Sequence, residues 1–158
     1  MRKQPTSRMC FVCGRENLAG LRLEFYEDPE AHQVRAEVTI SDQYQGYPGV
    51  VHGGIVSAIL DEVSGRAVML QEGDERLMAT LRMTVRFRRP TPTGTRLTAV
   101  GWVNQLGGVG AKVAGEIRLP DGTVTADCNS LLAEPPEQFK DGWEEERPYW
   151  TASDEVEP

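Results

Sequence analysis

Residues 48–70, PGVVHGGIVSAILDEVSGRAVML, place a histidine, His52, ahead of two glycines, Gly53 and Gly54, with two adjacent acids, Asp61 and Glu62, further along. The run after His52 has the apolar periodicity of a helix. A helix N-terminus carries unpaired N–H groups and the positive end of the macrodipole. Glycine there removes the side chain that would obstruct a ligand. A carbonyl oxygen could then accept from the N–H of Gly53 or Gly54, which is what stabilising an oxyanion requires. The plainer use of two glycines is a turn that lets the helix start close to a sheet. A carboxylate in a small, partly apolar setting is a candidate functional group, because burial and neighbours can tune its pKa. The plainer alternative is a surface acid on a face of short side chains.

The angular positions separate the two acids. At about 100° per residue, Ile55, Val56, Ile59, Leu60, Val63, Ala67 and Leu70 share the side expected to face a sheet. Glu62 falls at its edge with Arg66 four residues on, the pattern of an ion pair on a solvated flank. Asp61 projects the other way, among Gly54, Ser57, Ala58, Ser64, Gly65 and Val68. That face is almost free of Lys, Glu and Gln, and its small residues admit a second backbone or a ligand. Gly54 and Gly65 are therefore candidate substrate contacts. Asp61 lies eight residues beyond Gly53, about 12 Å along the axis at 1.5 Å per residue. One carbonyl cannot reach both groups in one chain. If they act together, antiparallel helices of two subunits must bring Gly53 of one near Asp61 of the other.

The elements that would hold these residues follow from punctuation. LRLEFYE and QVRAEVTI alternate apolar and polar residues and predict a hairpin; SDQYQGYPG is a loop; the helix is expected from about 53 to 71, ending near Gly73. Four further strand-like runs follow, LMATLRMTVRFRR, TRLTAVGWVNQLG, AKVAGEIRLP and TVTADCNSLLAE, with turn signals between them. Short connections predict an antiparallel meander of these four. The architecture expected is α+β: one long helix wrapped by one curved antiparallel sheet, in chain order ββαββββ. Residues 1–20 are expected to be irregular, 21–133 to form the domain, and 134–158 to be an acidic extension. The extension should pack Phe139, Trp143, Tyr149 and Trp150 onto the domain and be partly disordered, with a lid as the less favoured role.

Composition narrows the function classes. The 158 residues are 39% hydrophobic and 26% charged with a net charge of -7, which speaks against coating nucleic acid. No apolar run is long enough to span a membrane and no signal peptide opens the chain, so a cytoplasmic protein is the default. Cys10 and Cys13 in CFVC have metal-ligand spacing, but the chain holds two histidines, His32 and His52, far apart. Zinc would need ligands shared between subunits, so reduced thiols and no metal are expected. LRMTVRFRRP holds four arginines in ten residues. Arg86, Arg88 and Arg89 are candidate contacts for a phosphorylated small ligand, against cross-strand pairing with acids.

VVHGGIVSAILDE followed by four strands resembles the hotdog-fold acyl-CoA thioesterases, specifically the phenylacetate-degradation (PaaI-like) group. The resemblance covers roughly residues 20–133, and CFVCGRENLAGLRLEFY is similar to a segment preceding some bacterial members. It implies a homodimer, or a dimer of dimers, with paired sites at the interface. Gly53 N–H would polarise the thioester carbonyl, and Asp61 of the opposite subunit would act as general base or as nucleophile through an anhydride. His52 would buttress the turn, place the carbonyl or cap the helix, and Thr80 would help position water. Related enzymes often carry Asn or Gln in the loop before the histidine; here Gly46 stands there, and Gln45 is the available substitute. The implied substrate is an acyl-CoA, with coenzyme A part of the substrate and no cofactor or metal. The alternatives are a hotdog hydratase or dehydratase, weakened by the lack of a second histidine near the site, and a non-catalytic acyl-CoA-binding protein.

Overall fold

The protein is described by a computed structural model covering residues 1–152; the end of the extension, expected to be disordered, lies outside the described residues. The helix forms where local signals put it. It is α1, Gly53–Glu72, opened by His52, whose Nδ1 accepts from Gly54 N–H at 2.9 Å. It is closed by Gly73, whose φ of 91° suits glycine and whose N–H returns to Met69 O at 2.8 Å.

The strands are β1 (Arg2–Lys3), β2 (Tyr26–Asp28), β3 (Gln33–Thr39), β4 (Ala79–Phe87), β5 (Arg96–Leu106), β6 (Gly110–Arg118) and β7 (Val124–Ala133). They form one antiparallel sheet in the order β1-β2-β3-β5-β6-β7-β4, so the α+β expectation holds. Two details differ. The expected hairpin strand from Leu21 shrinks to β2, because Leu21 and Leu23 give their N–H groups to Phe11 and Val12 of the N-terminal loop. The four-strand meander is only β5–β6–β7; β4 pairs with β7 at the far edge. The β4–β5 link contains Pro90 and Pro92 and is tied to the loop before α1 by Val51 N–H to Thr91 O at 2.8 Å. It therefore crosses over rather than folding into a hairpin, and β5 pairs with β3 instead.

Val56, Ile59, Leu60 and Val63 of α1 pack against Val34, Ala36, Leu97, Ala99, Ile117 and Ala126 of the sheet, all buried. The sheet curves further round the helix than the angular reading allows. Ser64 and Val68, placed beside Asp61 by that reading, are fully buried. The sheet glycines make room: a Cβ at Gly101 would lie 2.2 Å from Val63 O, and one at Gly115 3.4 Å from Ser64 Cβ. Since the obstacle at Gly101 is helix backbone, Gly101→Ala should destabilise the chain by about 3 kcal/mol, read as a lowered urea midpoint.

The other side of α1 is covered by both ends of the chain. Gln4 Nε2 donates to Arg66 O at 3.2 Å, and Arg66 Nη1 donates to Pro5 O at 2.8 Å. The extension forms a second helix, α2 (Glu137–Glu146), outside the ββαββββ order; Trp143 and Trp150 meet edge to face at 5.3 Å, and Trp150 Nε1 donates to Asp74 O at 3.0 Å. The flank assigned to solvent is consequently not solvated. Glu62 and Arg66 do pair, at 2.7 Å, but the Arg66 side chain is only 3% exposed and lies over the Phe25 ring at 4.3 Å. The cover comes from the N-terminal segment, some sixty residues earlier in the chain, folded back over this flank.

Candidate active site

Two clefts open along α1, and they divide the candidate residues. The first, about 600 Å³, lies at the helix N-terminus between His52, Gly53, Tyr47, Phe87 and Arg89. His52 Nδ1 occupies the N–H of Gly54, and the His52 carbonyl takes the N–H groups of Ile55 and Val56. Among the described residues, Gly53 is thus the first-turn donor without a protein acceptor, at the positive end of a 20-residue helix. The two glycines are equal by residue type and the resemblance implies Gly53; the cap occupies Gly54 N–H and leaves that of Gly53 open. The cap also commits His52 Nδ1 as acceptor and puts the proton of the neutral ring on Nε2.

The second cleft, about 310 Å³, holds Asp61, Thr80 and Gly65 with a wall from Phe139, Trp143 and Trp150. Thr80 Oγ1 donates to Asp61 Oδ1 at 2.7 Å, fixing one carboxylate oxygen. Thr80 sits at a register shift of β4 against β7, between Thr80 and Arg82, which re-aims the strand at this point. A Cβ added at Gly65 would meet nothing within 4 Å, so glycine leaves the cleft open beside Asp61. The aromatic wall was not assigned to the site from sequence; the i,i+4 spacing of Phe139 and Trp143 was the available signal.

The remaining candidates scatter. Gln45 Oε1 accepts from Gly49 N–H at 3.1 Å, which closes its own turn, beside Gly46 and Tyr47 of the first cleft. Arg88 pairs with Asp127 of β7, the cross-strand alternative, and Arg86 stands opposite Asp127 in register. Of the three arginines, Arg88 and Arg89 line the first cleft, with Arg89 exposed.

Cys10 and Cys13 also border the Asp61 cleft, together with Glu62. The Cys13 thiol, helped by the amides of Cys13 and Val12, lowers the Cys10 thiol to about 6, against burial and the Glu62 charge. Cys13, holding the shared proton and buried, is pushed up correspondingly. Burial opposes the charge of Arg66, but Glu62 and Cys13 more than restore it and its pKa is raised.

The family model described as the thioesterase superfamily matches residues 48–126, from the turn before His52 to the start of β7. The chain belongs to the thioesterase superfamily. A solved thioesterase superfamily protein is 33% identical with a TM-score of 0.73, over 80% of this chain and 61% of that one. The E. coli PaaI protein from the phenylacetic acid degradation operon is 22% identical with a TM-score of 0.59, over 65% of this chain and 76% of its own. The smu.793 protein of Streptococcus mutans UA159, solved bound to acetyl CoA, is 18% identical with a TM-score of 0.57, over 65% and 80%. No curated protein matches. The fold is that of the PaaI-like hotdog thioesterases. No helix of this thioesterase superfamily chain, among the described residues, is long and apolar enough to cross a membrane.

Proposed function

We propose that the protein is an acyl-CoA thioesterase that hydrolyses an acyl-CoA to the free acid and CoA at sites shared between two subunits. The observation that carries this reading is the split of one helix between two clefts: an unpaired Gly53 N–H in the first and a Thr80-held Asp61 in the second. About 12 Å of helix separates them, so one thioester engages both only if they come from different chains. The carbonyl oxygen accepts from Gly53 N–H of one subunit. Asp61 of the other takes a proton from water as the water oxygen bonds to the carbonyl carbon, or bonds to that carbon itself. The C–S bond then breaks, and the sulfur leaves with the electron pair and is protonated as CoA. In the second route water cleaves the resulting anhydride. Single turnover in ¹⁸O-water separates the two, because only the anhydride route can leave label in the Asp61 carboxylate.

Several features support the dimer. β4 is a sheet edge, paired with β7 on one side, and Leu81 and Phe87 on it are 66% and 58% exposed. A homodimer, or a dimer of dimers, would cover them. The aromatic wall beside Asp61 suits the acyl chain, and Arg89 at the first cleft suits a CoA phosphate. The cap role of His52 weighs against a hydratase, which needs a free imidazole as acid or base. Three free cysteines fit a reducing cytoplasm. A panel of acyl-CoA esters assayed with a thiol-reactive reporter should show CoA release for at least one; binding of esters without thiol release would leave a non-catalytic acyl-CoA binder.

A further inference from the structure

We propose that Cys10, Cys13 and Glu62 form a zinc-binding site whose fourth position opens onto the Asp61 cleft. The two Sγ atoms and a Glu62 carboxylate oxygen lie within 4.8 Å of one another, with Glu62 Oε2 4.0 Å from Cys10 Sγ. Zn–S bonds of about 2.3 Å in a tetrahedron set two sulfurs about 3.8 Å apart. Side-chain rotation covers the difference.

The loop is built around the Cys10 sulfur. The N–H groups of Val12 and Cys13 donate to Cys10 Sγ at 3.3 and 3.5 Å, and Gly14 N–H closes on Cys10 O at 2.8 Å. A Cβ at Gly14 would stand 2.4 Å from that oxygen, so only glycine permits this turn. Amide donors aimed at a sulfur favour the thiolate, the form that binds metal.

Arg66 supplies an independent sign. Its Nε holds Glu62 Oε1 at 2.7 Å, leaving Oε2 for the cluster. Its Nη2 is buried and has no partner among the described residues, in a side chain 3% exposed. A Cys13 thiolate is the acceptor that would complete it. Zinc binding displaces the proton that the two thiols share, and the cation then balances the two thiolates, while Arg66 balances Glu62. Thiolate donors select zinc over magnesium or calcium. Three protein ligands with an open position leave room for water or a ligand from the cleft. The sequence argument against zinc was a shortage of ligands; Glu62 is the third, placed by the fold.

The test does not depend on thioesterase activity. The reduced full-length chain is titrated anaerobically with Co²⁺ and followed by absorption. The expected result is saturation at one Co²⁺ per chain with a thiolate-to-cobalt charge-transfer band, displaced by Zn²⁺. Cys10→Ser and Cys13→Ser should lose the band, and Glu62→Gln should weaken binding by about 10-fold or more. Absence of the band in the reduced wild-type chain overturns the site, as does a band that survives Cys10→Ser. If the serine variants lose their far-UV circular dichroism, Glu62→Gln decides: unchanged affinity in that variant overturns the three-ligand site.

Discussion

Asp61→Asn should lower kcat by about 10³-fold, within the range for removing a positioned acid–base group, while the chain stays folded. Asparagine keeps an oxygen at the Oδ1 position, so the 2.7 Å bond from Thr80 Oγ1 can persist. What is lost is the charge: an amide can neither take a proton from water nor attack a thioester. The side chain is half-buried at the cleft wall rather than in the core, so the denaturation midpoint should move little. The measurement is steady-state thiol release with urea unfolding on the same preparation. Wild-type turnover in Asp61→Asn would remove the acid from the mechanism. Lost turnover with a collapsed midpoint would make Asp61 structural.

Arg66→Ala should destabilise the chain by about 3 kcal/mol, the lower end of the cost of breaking a buried ion pair. The lower end applies because Glu62, at 24% exposure, can turn to water once its partner is gone. Four contacts go with the guanidinium: Glu62, the Pro5 carbonyl, and the rings of Phe25 and Trp150 at 4.3 and 5.3 Å. The last three join α1 to the N-terminal segment or the extension, so the loss should loosen residues 1–25 and the extension before the sheet. Hydrogen exchange should show early deprotection there. A midpoint within error of wild type would mean that the two termini hold without this anchor.

What was legible in the sequence was local. His52 and Gly73 bound the helix because capping depends on a few neighbouring residues, and the apolar stripe found the core because period is a local property. Thr80 beside Asp61 came from the family resemblance, since nothing in a strand threonine announces its partner. The differences in the fold arise from non-local contacts. β4 crosses to β7 because of pairing preferences set across the whole sheet. Ser64 and Val68 are buried because Gly101 and Gly115 let the sheet wrap further round. Glu62 is inside because a loop fifty residues upstream in the chain returns to cover it, with Cys10 approaching at 4.0 Å.

The shared site is tested most directly by complementation. Gly53→Pro deletes the proposed donor without an expected break in the helix: it is the first helical residue, where proline is favoured, and His52 before it already has φ -57° and ψ 138°. A Cβ there would sit 3.4 Å from the Phe87 ring, an ordinary contact. Asp61→Asn and Gly53→Pro chains with different affinity tags, each inactive alone, are mixed and the heterodimer isolated. A site that takes Gly53 from one chain and Asp61 from the other is then rebuilt once per dimer, with about half of wild-type activity. A heterodimer as inactive as its parents would contradict the account.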